Sequence, residues 1–262
     1  DRMNYQKNAV SFAEAVSSIK SGDKIFIHGA AATPTELLTA LARRTDLEEI
    51  TLYHLHTAGI WPFDTEELAR RFFSISFFTG EALRKPIAEG HADFMPIFLA
   101  DIPGLFWSGA IQLDAAFLHL SPPDRHGNCS LGTSVDAALA AAMTARQVIA
   151  QINPRVPRTL GHSAIPLAKL HAFANVERPL YEHPPAPESE VTARIGEIVA
   201  GLVSDGSTLQ MGIGAIPDAV LRRLGNKRHL GIHTEMFSDG VIDLVEAGAI
   251  TNKNKLVHAG RL

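Results

Sequence analysis

The sequence predicts an α/β protein made of two similar open domains, each built around a mostly parallel sheet. The main observation is an internal repeat, in which residues 12–41 align without a gap on residues 195–224. Both copies contain an apolar strand, a glycine-containing loop and a helix in the same order. Because the copies lie so far apart, the repeat indicates two related domains rather than a stacked solenoid.

The first copy predicts a strand–helix–strand unit with short connections, which is typical of a right-handed crossover in a parallel sheet. Thr33 is the predicted N-cap of its helix, with Pro34 at the first helical position and Glu36 three residues after the cap. The predicted elements are an amphipathic helix over 9–20, a strand over 24–28, a helix over 34–44 and a strand over 50–56.

The middle of the chain predicts further strands over 94–100, 115–120 and 147–152, and a helix over 135–146. Four prolines within residues 179–187 then favour a linker between domains. The predicted domains are therefore residues 1–187 and residues 188–262.

The second domain repeats the opening architecture but contains fewer elements. It has one clear strand–helix–strand unit and a further predicted helix over 241–247. A doubly wound domain normally has more strands than this, so we expect the second domain to be truncated relative to a complete fold.

Composition excludes several classes of protein. With 46% hydrophobic and 20% charged residues, the chain can bury a real core, which excludes general disorder. The net charge of −4 and the absence of a basic stripe argue against a nucleic-acid partner. No apolar run approaches the roughly 20 residues that span a bilayer, and no export signal is visible. Because Cys129 is the single cysteine, a disulfide within the chain is impossible, and a cytoplasmic location is predicted.

The glycine loop of the second copy is the first candidate site. Gly212 and Gly214 follow the predicted strand over 207–210, and Pro217 lies near the start of the next helix. Free backbone N–H groups at such a position can bind a phosphate or a developing oxyanion. A tight turn without a ligand is the alternative. The third glycine of a dinucleotide-binding loop is missing.

Glu235 is the second candidate, because it follows the predicted buried strand over 230–233. Open α/β sheets bind their ligands at the carboxyl ends of their strands, so a carboxylate there can act as a nucleophile. A solvated strand end is the alternative. The first copy has no equivalent glutamate, which singles Glu235 out.

Three other groups of residues are weaker candidates for a site. His229, His233 and Glu235 resemble a zinc site superficially, but residues four apart on a strand are too widely separated to chelate one ion. A thiol site built from Asp124, His126 and Cys129 is disfavoured because a lone cysteine is usually a small core residue. The third constellation, around His28, has small residues that permit either a ligand or simple packing.

Four segments together resemble the acetyl-CoA hydrolase/transferase family, which includes 4-hydroxybutyrate, butyryl- and acetate CoA-transferases. The resemblance implies a fold of CoA-transferase type, with two similar open α/β domains. It also implies that Glu235 is the catalytic nucleophile, and that it attacks an acyl-CoA to give an acyl-glutamyl anhydride and then a glutamyl-CoA thioester. The segments are residues 26–34, 121–127, 212–217 and 233–236.

The resemblance further implies which residues contact the substrates. Coenzyme A is a substrate rather than a cofactor, and no metal is implied. The CoA-binding residues are Gln210, Met211, Gly212, Ile213 and Gly214. The candidate substrate-pocket residues are His28, Gly29, Ala30, His126, Ala215 and Ile216. Chains of this family continue past Leu262 with a further CoA-contacting segment, so we expect part of the binding site to be missing here.

The predicted function is a CoA-transferase that acts on short-chain acyl-CoA and small carboxylic acids by ping-pong kinetics, as a homo-oligomer. An acyl-CoA hydrolase that uses the same glutamate is the near alternative. A sugar-phosphate isomerase-like or ligand-binding protein on the same fold, with Glu235 as a general base, is the alternative of a different class. A fragment that needs another chain to complete its site is the remaining one.

Overall fold

The computed structural model describes residues 5–262, which form two compact units divided between Glu182 and His183. The division falls in a stretch without helix or strand, and the boundary predicted after residue 187 lies farther along the same stretch. The first unit is described up to Glu182 and the second from His183 onward.

The first unit is built on a seven-stranded parallel sheet with strand order β4-β3-β2-β1-β5-β7-β9. A separate antiparallel pair joins β6 to β8. The strands are β1 (Lys24–Ile27), β2 (Ile50–His54), β3 (Phe72–Ser76), β4 (Ala92–Phe94), β5 (Ala115–Leu120), β6 (Asn128–Ser130), β7 (Gln147–Ile152), β8 (Ala164–Pro166) and β9 (Ala172–Asn175).

Helices cover both faces of this sheet, and alternate residues of its central strands enter two separate cores. Phe26 lies in one cluster, while its neighbours Ile25 and Ile27 lie in the other, as the two-residue period of a strand requires. The helices are α1 (Phe12–Ala15), α2 (Thr35–Ala42), α3 (Glu66–Arg71), α4 (Glu81–Ala88), α5 (Ile102–Trp107) and α6 (Ala138–Thr144).

Several predictions for the first unit are confirmed. The predicted strands over 115–120 and 147–152 coincide with β5 and β7. The predicted strands over 24–28 and 50–56 are present as β1 and β2, although both end earlier. The predicted helix over 135–146 is present as the shorter α6.

Three predictions for the first unit are wrong. The helix predicted over 9–20 is only the single turn α1, although Val16 and Ile19 are buried as their spacing predicted. The strand predicted over 94–100 ends at Phe94, because Pro96 cannot donate to a ladder. Thr33 does not cap α2. Pro34 holds that position without a side-chain bond, and the Thr33 hydroxyl instead bonds the Ala30 carbonyl (2.7 Å) and the Ala58 amide (3.0 Å).

The second unit contains a parallel pair of short strands and three helices among its described residues. The elements are α7 (Glu190–Leu202), β10 (Thr208–Leu209), α8 (Ala215–Leu221), β11 (Gly231–Ile232) and α9 (Gly240–Glu246). The helix predicted over 241–247 is confirmed as α9, one residue displaced. Gly196 of α7 lies so close to α8 that an added Cβ would be 2.8 Å from the Ala219 carbonyl oxygen.

The repeat is present in both units, but the ungapped alignment is wrong between strand and helix. The Gly22 amide donates to the Glu48 carbonyl at 3.0 Å, and the Gly206 amide makes the equivalent bond to the Arg228 carbonyl at 2.8 Å. Because Gly22 corresponds to Gly206, β1 and β10 are shifted by one residue from the predicted alignment. The connection to the helix spans residues 28–34 in the first unit and only residues 210–214 in the second. Pro34 therefore precedes α2, whereas Pro217 lies inside α8.

Candidate functional site

The glycine loop occupies residues 210–214, between the end of β10 and the start of α8. Gly214 has φ 111° and ψ −173°, a conformation that is essentially restricted to glycine. Its carbonyl accepts the Asp218 amide at 3.1 Å, which begins α8. Gly214 is therefore required for the sharp change of direction from strand to helix.

The predicted CoA-binding residues divide into one anchor and an exposed group. Met211 is 7% exposed and packs in the core of the second unit. The remaining loop residues are exposed: Gln210, Gly212, Ile213 and Gly214. Of the two candidate pocket residues that begin α8, Ala215 is half-buried and Ile216 is exposed. The loop thus presents backbone groups to solvent from a fixed base.

Glu235 lies three residues after the end of β11, on the same side of the strand pair as the glycine loop. The pair ends with the His233 amide donating to the Leu209 carbonyl at 2.9 Å. The Glu235 side chain is exposed and makes no hydrogen bond or ion pair within residues 5–262. It is an uncommitted carboxylate at the carboxyl ends of two parallel strands, as the sequence predicted.

Thr234 joins the two parts of this site, and the sequence analysis missed it. Its hydroxyl accepts the Met211 amide at 3.1 Å and donates to the Met211 carbonyl at 2.7 Å. One side chain therefore connects the first residues of the glycine loop to the residue before Glu235. The threonine beside the glutamate was the available signal, but a strand-end threonine is too common to interpret without the fold.

His28 is fully buried in the first unit, and both of its ring nitrogens are engaged. Nδ1 accepts the His119 amide (3.2 Å), so Nε2 carries the proton and donates to the Ser134 carbonyl (2.5 Å). Burial lowers the pKa of His28, despite the opposing hydrogen bonds and the nearby Asp136. These contacts match the packing alternative that the sequence left open.

Gly29 and Ala30 are constrained by the end of β2. A Cβ on Gly29 would lie 2.8 Å from the His56 carbonyl oxygen, which itself accepts the Ala30 amide at 2.9 Å. Ala30 has φ 49°, in the left-handed region that few non-glycine residues adopt. The small residues of this turn permit a close approach of backbone to backbone.

His126 is exposed in the turn between β5 and β6. Asp124 organises this turn by accepting the His126 and Asn128 amides, each at 2.9 Å. These bonds, the Asn128 amide foremost, lower the pKa of the Asp124 carboxyl. Burial raises the pKa of the Cys129 thiol to about 12, so Cys129 is a core residue and not an activated nucleophile.

A polar network, which the sequence did not predict, connects α2 to the residues that precede the second unit. Arg178 Nε donates to Glu36 (2.5 Å), and Gln151 Nε2 donates to the same carboxylate (2.6 Å). Burial opposes ionisation of Glu36, but these hydrogen bonds outweigh it and lower the pKa. The Arg178 guanidinium also lies over the Tyr181 ring, and the Tyr181 hydroxyl lies 2.9 Å from the Thr35 hydroxyl.

No helix within residues 5–262 combines the length and apolar character needed to cross a membrane. Within the same residues, no group of three or more His, Cys, Asp or Glu side chains could hold a metal ion.

The fold is that of an α/β protein, and the exposed Glu235 carboxylate at the carboxyl ends of two parallel strands is its candidate site. The family model for the acetyl-CoA hydrolase/transferase N-terminal domain matches residues 1–184, and the chain belongs to this family. The match ends close to the division between the two units.

Curated relatives and solved structures resemble nearly the whole chain. A succinyl-CoA:acetate/propanoyl-CoA:succinate CoA transferase from Fasciola hepatica is 47% identical over 98% of this chain and 54% of its own length. A 4-hydroxybutyrate coenzyme A transferase from Clostridium kluyveri is 39% identical over 98% of this chain and 60% of its own length. The crystal structure of RipA from Yersinia pestis is 34% identical, with a TM-score of 0.90 over 98% of this chain and 62% of that one. The chain thus spans a little over half the length of these relatives.

Proposed function

We propose that this chain is part of a CoA-transferase that moves CoA between a short-chain acyl-CoA and a carboxylic acid, with Glu235 as the nucleophile. The observation that carries the proposal is the exposed, unpaired Glu235 carboxylate, linked through Thr234 to the glycine loop. A nucleophilic carboxylate must be ionised and free of a competing cation, and nothing within residues 5–262 pairs with this one.

The reaction proceeds in four exchanges at Glu235, two in each half of the cycle. A carboxylate oxygen attacks the acyl-CoA carbonyl, the C–S bond breaks, and CoA leaves as a thiolate while an acyl-glutamyl anhydride forms. The thiolate then attacks the glutamyl carbonyl, the anhydride C–O bond breaks, and the first carboxylic acid leaves as its anion. A second carboxylate reverses these steps and departs as the new acyl-CoA. Each exchange conserves an activated acyl group, so no external energy source is required.

The glycine loop has two roles in this proposal. Residues 210–214 contact CoA, and their backbone N–H groups stabilise the oxyanions that form at the attacked carbonyls. The exposure of Gly212 and Gly214 supports this assignment, because a backbone without side chains permits a close approach by the ligand. Ala215 and Ile216, directly after the loop, are the pocket candidates that its position supports best.

The class of substrate is proposed from the relatives. The Fasciola hepatica enzyme is named for succinyl-CoA, acetate and propanoyl-CoA, and the Clostridium kluyveri enzyme for 4-hydroxybutyrate. These names support small carboxylic acids as acyl groups. The predicted cytoplasmic location and homo-oligomeric state remain predictions, as does a substrate pocket that includes His28, Gly29, Ala30 and His126.

Acyl-CoA hydrolysis is the second candidate, because the matched family includes hydrolases as well as transferases. Water would then resolve the glutamyl intermediate in place of a second carboxylate. The two functions differ in the fate of the thioester. A transferase conserves it and needs an added acid to consume acetyl-CoA, whereas a hydrolase loses it to water without an added acid.

The test is a steady-state assay of the full-length protein with acetyl-CoA, with and without butyrate or succinate. We expect thioester exchange that requires the acid and falls on the order of a thousandfold or more in Glu235→Ala. The matched control is Glu246→Ala, which removes another exposed carboxylate of the second unit and should leave the rate unchanged. Acid-independent loss of thioester would favour the hydrolase, and full activity of Glu235→Ala would overturn both.

A further inference from the structure

The parallel ladder between β10 and β11 ends in an unusual way. Main-chain pairing covers Thr208↔Gly231 and Leu209↔Ile232, and the last bond runs from the His233 amide to the Leu209 carbonyl. Both main-chain groups of Met211 then bond to the Thr234 hydroxyl instead of to backbone. A side chain has replaced the next step of the ladder.

This replacement makes Thr234 the last fixed residue before Glu235. On its other edge, β11 is held by the Asn252 side chain, whose oxygen accepts the Ile232 amide at 2.8 Å. Beyond Thr234, the amides of residues 235–237 have no partner within residues 5–262. Within residues 5–262, the half-buried Thr234 hydroxyl is therefore the last hydrogen-bonded group between the strand pair and Glu235.

We propose that Thr234 is a positioning residue, whose hydroxyl fixes the spacing between the glycine loop and the Glu235 carboxylate. The inference rests on the proposed function, because the spacing matters only if Glu235 attacks a thioester that the loop binds. A hydroxyl suits this role because it can donate to a carbonyl and accept from an amide at once. A displacement of about 1 Å between reacting groups is enough to slow a reaction on the order of a hundredfold.

The test compares Thr234→Val with Thr234→Ser in the full-length protein. Valine keeps the shape but removes the hydroxyl, and we expect kcat to fall on the order of tenfold to a hundredfold with a much smaller change in KM for acetyl-CoA. Serine keeps the hydroxyl and should restore kcat to within about threefold. Thr251→Val is the matched control, because the buried Thr251 hydroxyl has no partner within residues 5–262 and its loss should leave kcat unchanged.

The outcomes separate this inference from the proposed function. Absence of acid-dependent exchange in the unchanged protein would defeat the proposed function itself. If the unchanged protein catalyses acid-dependent thioester exchange, a normal kcat in Thr234→Val would overturn the positioning role alone. Failure of Thr234→Ser to restore kcat would overturn it as well. If Thr234→Val does not fold, hydrogen exchange at the Met211 amide decides instead. Protection of the Met211 amide in the unchanged protein and in Thr234→Ser supports the positioning role of Thr234, and rapid hydrogen exchange of this amide in both contradicts it.

Discussion

The two copies of the strand–turn–helix unit differ in what their turns contact. In the first unit the turn is closed by the protein itself, with His28 bonded to Ser134 and Gly29 against the His56 carbonyl. In the second unit the shorter turn is exposed, and the neighbouring Glu235 is unpaired. The comparison shows that one duplicated scaffold can close its turn by packing in one copy and leave the turn exposed beside a carboxylate in the other.

The largest effect that would sharpen this comparison is an acid destabilisation of the first unit, where two histidines are buried. Burial lowers the pKa of His54 to about 4, and burial with nearby Arg178 lowers that of His119 to about 3. The unfolded chain takes up these protons below about pH 6.5, whereas the folded unit does not until the lower values. Stability is therefore present above pH 6.5 and is lost as the pH falls toward 4.

Each of these histidines should lower the free energy of unfolding at pH 5 by about 2 kcal/mol relative to pH 7. Urea denaturation between pH 7 and 5, followed by hydrogen exchange on strands of the first unit, measures this loss. His119→Gln should reduce the pH dependence, whereas the exposed His126→Gln should preserve it. A stability that is unchanged between pH 7 and 5 would show that the buried histidines do not control this unit.

A smaller effect is expected from the two glycines that the ungapped alignment treats as equivalent. Gly29→Ala should destabilise the protein by about 1–3 kcal/mol, because its Cβ would lie 2.8 Å from a backbone oxygen. Gly212→Ala should leave stability within about 1 kcal/mol, because its Cβ would meet only Pro217 Cγ at 3.5 Å. Thermal unfolding measures both.

Activity should rank the same two glycine variants in the opposite order. Per folded molecule, Gly212→Ala should raise KM for the acyl-CoA more than Gly29→Ala does, because its methyl group enters the exposed loop that is proposed to contact CoA. Equal loss of stability in both variants would contradict the view that only the first turn is closed by packing.

The parts predicted well from the sequence are those that local pattern determines. Short, mostly apolar runs located β5 and β7. The rule that parallel strands end at a common edge located Glu235 beside the glycine loop. Both inferences need only the neighbouring residues and a general property of parallel sheets.

Several of the missed features depend on partners distant in the sequence. Thr33 had the residue type of a helix cap, but the Ala58 amide and the Ala30 carbonyl compete for its hydroxyl. Glu36 fitted the same capping pattern, yet it pairs with Arg178. The Thr234–Met211 bonds were beyond reach because they depend on where the ladder ends. Tertiary contacts, which a local pattern does not contain, decided each case.

The second-copy turn and Glu235 together form the proposed reactive site. The most direct measurement is mass spectrometry of the full-length protein after incubation with acetyl-CoA, with borohydride reduction to trap a glutamyl thioester. We expect a CoA adduct on the peptide that contains Glu235 before reduction. Borohydride should then release CoA as its thiol and convert the Glu235 side chain to the alcohol, in the unchanged protein and in Glu246→Ala but not in Glu235→Ala. Catalytic thioester exchange without any adduct at Glu235 would show that this carboxylate is not the nucleophile.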